Sequence, residues 1–338
     1  MRALYHLTIP ASPMADCEAV AQDVRLLQHV AVGRSIHLYP TRRPGTRIPR
    51  AIWGLERLPL LWRLERSIDV HHIFNPDPFP FPVLRLLRRP IVYTIVGSVS
   101  DEHCHNARRV GALARAVIVS SQADQDCLIR WGISQTHVVQ PAVDVTRLQY
   151  TSISDDAPPT LLAGSAPWTG EQFVSKGVDA LLEAALRRHE LRLIFLWRGV
   201  LFDEMMRRVA TTGLQERVRV LNERVDVNEV LAGVTAGVVL ATRPDVVKAY
   251  PHSLLECLAA GKPVLVSRAI RMSEWVEKSN LGCVIDVVNA DHILRAVDTL
   301  RQARFSPQRL QAAVAGHTER FLAAHRQIYE WVIGRRSR

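Results

Sequence analysis

Short apolar runs of three to seven residues recur along this chain, with stretches of helical spacing between them, and the series breaks once before starting again. Residues 3–9, 35–39, 69–74, 91–95 and 116–120 form the first series, with helical stretches such as 14–30 between them. A run that is apolar on both faces suits a strand covered by layers on both sides, and the intervening helices supply the crossovers that parallel strands require. Val138-Val139-Gln140-Pro141-Ala142-Val143-Asp144 closes this half. The second series follows at 160–163, 191–197, 218–221, 237–241, 264–266 and 283–286, with helices expected over 177–188, 202–210 and 227–232 and from 290 to about 331. Such a βαβα rhythm is that of a doubly wound parallel sheet, and two of them make two Rossmann-like domains. A chain of 338 residues also exceeds the size at which one core stops growing. The expected division is a first domain over 1–150, a polar linker over 151–159, a second domain over 160–310, and C-terminal helices over 311–338 that pack back toward the first.

The stretch Lys248-Ala249-Tyr250-Pro251-His252-Ser253-Leu254-Leu255-Glu256-Cys257-Leu258-Ala259-Ala260-Gly261-Lys262-Pro263-Val264-Leu265-Val266 condenses one such unit. Pro251 suits a helix start and Gly261 the left-handed residue that ends one. Leu254, Leu255, Leu258 and Ala259 form an apolar stripe, whereas Ser253 and Glu256, three apart, share another face. The helix start is also a place for an anion, because its first N–H groups lack partners inside the helix.

Earlier, a strand leads into Gly164-Ser165-Ala166-Pro167-Trp168-Thr169-Gly170-Glu171-Gln172-Phe173-Val174-Ser175-Lys176-Gly177, where a further helix begins. A glycine loop with a lysine at a helix start offers backbone donors, a positive dipole end and a cation together, the combination a diphosphate needs. The spacing is neither that of a P-loop nor of a dinucleotide fingerprint. Only four of the 43 basic residues are lysines, Lys176, Lys248, Lys262 and Lys278, so arginine is the default cation here.

The net charge of +10 directs attention to the segment from Thr41 to Ser67. It carries Arg42, Arg43, Arg47, Arg50, Arg57, Arg63 and Arg66 beside Trp53 and Trp62, opposed only by Glu56 and Glu65. Arginines with interfacial tryptophans are what a peripheral helix offers to an anionic membrane surface. The alternative is a helix packed on the sheet with a solvated arginine face. Nucleic acid is not expected, since no recognition motif accompanies the charge. No apolar run approaches the ~20 residues that span a bilayer. The apolar stretch before Pro10 is too short for a signal peptide, so a cytoplasmic location, at most peripheral on the membrane, is expected. Five cysteines without a C-x-x-C suit reduced, packed thiols. His103-Cys104-His105 and the pair His71-His72 lack the spacing of a helical metal pair.

The Gly164 loop running into Lys176-Gly177-Val178-Asp179-Ala180-Leu181-Leu182-Glu183-Ala184, and the stretch from Pro251 to Val264, resemble the two signature segments of retaining GT-B glycosyltransferases of the glycogen-synthase-like group. Gln140-Pro141-Ala142-Val143-Asp144 is similar to the segment closing that family's first domain. The resemblance implies α/β architecture of GT-B type, with two Rossmann-like domains and a cleft between them. It also implies transfer of a sugar, with retention, from a nucleotide-diphosphate donor to a lipid-linked, glycan or small-molecule acceptor, with no metal and no other cofactor. Lys176 would neutralise the donor diphosphate and Glu256 would take hydrogen bonds from the ribose, with Lys176, Lys248 and Glu256 forming the catalytic group. Gly164, Ser165, Arg243, Tyr250, His252, Ser253 and Leu254 would complete the donor site, and backbone groups at Glu223, Arg224 and Val225 would read the base. The acceptor side would involve Ser12, His71, His72, Asn75, Gly97 and Ser98. His71 and His72 are placed at the carboxyl end of their expected strand, followed by Asn75-Pro76-Asp77.

Three positions depart from that family's pattern. Lys248 stands where the partner of Glu256, a glutamate eight residues earlier, belongs; Ser165 replaces an arginine; and Val96, in Thr94-Ile95-Val96-Gly97, replaces a histidine. Lys248 reads as a partner for an anionic donor sugar, as a substitute diphosphate contact with Arg243, or as a solvated loop lysine. The alternative to an active enzyme is a non-catalytic GT-B protein that binds nucleotide sugar or glycan and partners an active one. No acid/base pair of the kind a sugar-nucleotide epimerase uses is found in the sequence.

Overall fold

A computed structural model describes residues 1–8, 18–39, 48–154, 156–197 and 201–334. The chain divides into two compact units, one of residues 1–142 together with 318–338, the other of residues 143–317.

In the first unit the elements run β1 (Arg2–Leu7), α1 (Ala19–Leu27), β2 (Val32–His37), α2 (Leu58–Leu64), β3 (Val70–Asn75), β4 (Ile91–Ile95), α3 (Cys104–Leu113), β5 (Ala116–Val119), α4 (Gln122–Arg130) and β6 (Thr136–Val138). The strands pair in parallel in the order β2-β1-β3-β4-β5-β6. The expected rhythm is present, with two differences. The second strand covers 32–37 instead of 35–39; it is an edge strand with no fully buried residue, so no alternation marks its start. Strand β6 (Thr136–Val138) has three residues only and no expected strand matches it; just its last residue, Val138, falls within the closing segment. The expected helix over 41–67 is limited to α2 among the described residues, flanked by the single turns Leu55–Arg57 and Glu65–Ser67.

The second unit runs β7 (Thr160–Ala163), α5 (Gln172–Ser175), α6 (Val178–Arg187), β8 (Arg192–Leu196), α7 (Phe202–Thr211), β9 (Val218–Leu221), α8 (Val227–Ala232), β10 (Ala236–Val239), α9 (His252–Ala259), β11 (Val264–Ser267), α10 (Met272–Lys278), β12 (Gly282–Ile285), α11 (Ala290–Gln302) and α12 (Pro307–Val314). Its parallel sheet has the order β12-β11-β10-β7-β8-β9. Each face carries its own core. Phe173, Leu181, Leu193, Phe195 and Trp197 pack on one side, and Leu254, Leu255, Leu258, Val264 and Val266 on the other. Residues 143–154 lie along this unit: the Gln149 N–H donates to Asn228 Oδ1 at 3.0 Å, and Lys262 Nζ donates to the Thr151 carbonyl at 2.7 Å.

The last helix, α13 (His317–Gly334), returns to the first unit. Phe321, Ile328, Tyr329 and Val332 pack with Tyr5, Val24, Leu27, Val70 and Phe74. No helix among the described residues is long and apolar enough to cross a membrane.

Candidate active site

In the second sheet the chain passes from β7 outward through β8 and β9, then crosses back to β10, which lies on the other side of β7. Strands β7 and β10 therefore flank the point where the winding reverses, and the crevice outside their carboxyl ends is where open α/β sheets take ligands. The two signature segments leave the sheet there, the Gly164 loop after β7 and the turn into α9 after β10.

Two glycines let these segments come close. A Cβ on Gly237 of β10 would lie 2.5 Å from Cys257 Sγ, so the strand accepts α9 only because the residue has no side chain. A Cβ on Gly164 would lie 2.5 Å from Cβ and 2.7 Å from Oγ of Ser253, in the first turn of α9. The loop backbone and the helix N-terminus thus meet at van der Waals contact.

Helix α9 buries six of its eight residues and leaves Ser253 and Glu256 half-exposed, the pair whose spacing put them on one face. Pro251 precedes the helix with extended backbone and caps it with no side chain. The Leu254 N–H is taken by the Pro251 carbonyl at 3.1 Å, and Leu254 itself is fully buried, so Leu254 offers a ligand nothing. Ser253 is the residue that presents polar groups at this helix start.

Lys176 sits between α5 and α6, 8% exposed, and its Nζ donates to the Ala166 carbonyl of the Gly164 loop at 2.8 Å. Gly177 follows in the left-handed conformation, with φ of 67°. The Thr242 N–H donates to the Ser175 carbonyl at 2.9 Å, fastening the turn after β10 beside Lys176. The sequence does not reveal these fastenings, because carbonyl acceptors leave no side-chain signal; Gly237, an isolated glycine in a strand pattern, was the one readable hint.

Other expected donor residues lie apart from this arrangement in character. Ser165 is half-buried, and Arg243 is exposed and donates to Asp245 at 3.2 Å. Tyr250 is buried against the Trp275 ring with centroids 6.1 Å apart, which makes it a packing residue. His252 is buried, and Lys248 is half-buried with its Nζ inaccessible. Glu223 and Arg224 are exposed and Val225 half-buried, just beyond the carboxyl end of β9. Beside them Asn222 Oδ1 is buried with no protein partner among the described residues, a polar group the sequence reading passed over.

On the first unit Ser12 lies outside the described residues. Asn75 ends β3, and its Nδ2 donates to Asp77 Oδ1 at 2.9 Å. Arg50 grips both oxygens of Asp77 at 2.6 and 2.8 Å while its guanidinium lies 4.2 Å from the Phe79 ring centroid. The Gly97 N–H donates to the Pro76 carbonyl at 2.9 Å, and Ser98 is buried with no partner for its Oγ among the described residues. Val96 is half-buried against the core formed with α13. Asn75, Gly97 and Ser98 therefore gather at the carboxyl ends of β3 and β4.

His71 and His72 do not join them. Both sit in the first half of β3 and are fully buried, one on each face of the sheet, because a strand points successive side chains to opposite sides. On the α2 face, His71 Nε2 donates to Glu65 Oε1 at 3.0 Å, and its Nδ1 lies 2.8 Å from His6 Nε2. With Glu65 ionised, its carboxyl held below the usual range by His71 and the backbone N–H groups of Arg88 and Arg89 against the opposing push of burial, only one proton order fits. His71 Nδ1 accepts from His6 Nε2–H, and His6 Nδ1 is left bare in an apolar surrounding, with no partner among the described residues. On the other face His72 touches Tyr329 OH at 2.6 Å and Thr94 Oγ1 at 2.7 Å, and Tyr329 in turn donates to Tyr5, whose OH donates to the Ala31 carbonyl at 2.6 Å. Burial lowers the pKa of His6, His71 and His72, so these rings are neutral supports inside the sheet. Among the described residues no three His, Cys, Asp or Glu side chains gather as ligands for a metal.

Residues 170–315 match the family described as glycosyl transferases group 1, and residues 10–147 match glycosyltransferase family 4. The chain is a glycosyltransferase. The enzyme matches no curated protein in sequence. Its fold is GT-B, shared with solved structures at low identity. HepE of Anabaena, crystallised with UDP-glucose, is 18% identical with a TM-score of 0.70, over 99% of this chain and 100% of that one. A glycosyltransferase of Rickettsia africae is 13% identical with a TM-score of 0.72, over 98% of each chain. WaaG, a glycosyltransferase involved in lipopolysaccharide biosynthesis, is 14% identical with a TM-score of 0.63, over 98% of this glycosyltransferase and 99% of WaaG.

Proposed function

We propose that this glycosyltransferase takes a nucleotide-diphosphate sugar as donor at the β7/β10 crevice and transfers the sugar with retention to a lipid-linked or glycan acceptor. The observation that carries the reading is the approach of Gly164 to Ser253 beside the buried Lys176. A loop backbone, a helix N-terminus and one lysine together offer the N–H donors and the positive charge that a diphosphate takes. HepE, which was crystallised with UDP-glucose, supports a nucleotide-sugar donor, and WaaG supports an acceptor of the cell envelope.

In this reading Lys176 exchanges the Ala166 carbonyl for the donor's phosphate oxygens, Ser253 donates to the same group, and Glu256, three residues along α9, accepts from the ribose hydroxyls. Backbone groups near Glu223, Arg224 and Val225 hold the base. The bond from the anomeric carbon to the diphosphate breaks as the acceptor oxygen forms its bond on the same face of the sugar. The acceptor's proton passes to the departing phosphate oxygen, and nucleoside diphosphate leaves. Lys176 and the helix start supply the positive charge that the leaving group needs, so the chemistry calls for no metal ion. Lys248, whose Nζ is inaccessible, is given no contact with the donor; Asn75, Gly97 and Ser98 face the acceptor.

Calorimetric titration with UDP-glucose, UDP-glucuronate, UDP-N-acetylglucosamine and GDP-mannose tests the donor, and NMR of the transferred sugar's anomeric proton tests retention. Lys176→Met should lower turnover of the accepted donor by ~10²–10³. Failure of every nucleotide to bind, or an inverted product, refutes the proposal.

A further inference from the structure

The helix α2 is short and strongly two-sided. Leu61 is fully buried, with Leu58 and Leu64 packed against the core beside it. The outward positions Pro59, Trp62, Arg63 and Arg66, at helical spacing, are all exposed. The one acid of this stretch, Glu65, points inward. Its carboxylate accepts the backbone N–H groups of Arg88 at 2.5 Å and Arg89 at 3.1 Å. That inward carboxylate fastens the chain after the turn Pro82–Leu86 to the end of α2, and Trp62 Nε1 completes the link by donating to the Leu86 carbonyl at 3.0 Å.

The fastened pair presents one uninterrupted kind of surface. Trp62 is 38% exposed, Leu86 43% and Ile52, on the neighbouring turn Arg50–Ile52, 49%. Around them Arg63, Arg66, Arg85 and Arg88 are exposed, and the first three have no ion pair among the described residues. Arg88 lies over the Trp62 ring at 5.2 Å. Glu56 is the exposed acid closest in sequence, and it is already matched by Arg57 at 3.1 Å.

We propose that this face is a docking surface for an anionic lipid bilayer. Aliphatic tips at Ile52 and Leu86 have no counterpart on a nucleic acid but enter an acyl boundary readily, and arginines around them meet lipid phosphates. The indole N–H of Trp62 is satisfied within the protein, so the ring can enter an apolar layer without leaving a buried donor unpaired. The sequence pointed to a membrane through residues 41–67 alone. The structure adds the turn Pro82–Leu86 with Arg85 and Arg88, joined to α2 through Glu65, while residues 41–47 lie outside the described residues.

The test is co-sedimentation of the full chain with vesicles of phosphatidylcholine, with and without phosphatidylglycerol. Binding to the anionic vesicles alone, weakened by added salt, is the expected result. Arg63→Gln with Arg85→Gln should reduce partitioning by about 30-fold, and Ile52→Ser with Leu86→Ser by about 10-fold. All four sites are exposed, so both variants should unfold at the wild-type temperature; a variant that does not is replaced by the corresponding single substitution. Absence of binding to anionic vesicles, or binding that the arginine pair does not affect, overturns the proposal. So does a stable dimer by light scattering that Leu86→Ser converts to monomer, since the face would then be an interface between copies.

Discussion

Acid should unfold the first unit in a steep, proton-coupled transition. His6, His71, His72 and His325 are all buried in it. Burial lowers each below the ordinary histidine value of 6.5; His325 falls to about 4, and His71 is partly restored by Glu65. A group whose folded value is depressed binds its proton more readily when unfolded. Its neutral form is at no disadvantage above about pH 6.5, and stability is lost as the pH falls below that value. Each such histidine contributes a slope of ~1.36 kcal/mol per pH unit, so His6, His72 and His325 together give ~4 kcal/mol per unit, with His71 adding to it until it titrates. Domains of this size have only ~5–15 kcal/mol in hand, so one to two units of acidification should suffice. Glu65, whose carboxyl is held low, adds a further loss below its ordinary value of 4.5, where the unfolded chain takes up its proton first. The assay is urea unfolding followed by circular dichroism at half-unit steps from about pH 7.5 to 5, with hydrogen exchange by mass spectrometry locating the region that opens. Peptides from β1, β3 and α13 should lose protection first. Replacing His325 by Leu should remove one proton's worth of slope, ~1.4 kcal/mol per unit. A slope under that figure in the native chain would refute the reasoning.

Gly164→Val should place methyl groups inside Ser253 and weaken binding of an accepted nucleotide sugar at least tenfold (about 1.4 kcal/mol), with a near-native circular dichroism spectrum; unchanged calorimetric affinity would contradict the packing described. Tyr329→Phe removes the hydroxyl between His72 and Tyr5 and should cost ~1–3 kcal/mol in urea unfolding. Trp197→Ala, at a fully enclosed position between Phe173 and Phe195, should cost ~3–5 kcal/mol by the same measurement.

The two-sheet architecture could be read from the sequence because strands β5, β7, β10 and β11 are buried on both faces and so appear as short, mainly apolar runs. Strand β2 lacks that signature, being at an edge, and β6 is too short for any periodicity to show. Within the site, the shared face of Ser253 and Glu256 followed from helical spacing alone. The burial of His71 and His72 did not, because it is set by tertiary partners that no local periodicity shows: Glu65, which folds back onto His71, and Tyr329, 257 residues beyond His72. The same holds for Lys176: its position at a helix start was readable, its bond to the Ala166 carbonyl was not.

The return of α13 to the first unit carries a consequence for how the chain is made. Residues 143–317, the whole second unit, are synthesised between the two parts of the first. While the ribosome works through them, the sheet of the first unit waits with Tyr5, Phe74 and Val92 uncovered, the surface that Phe321, Ile328 and Tyr329 later close. The later-translated unit can complete its core first, and the unit that begins the chain is the last to be sealed. During that interval its open apolar face is the natural place for a chaperone to bind.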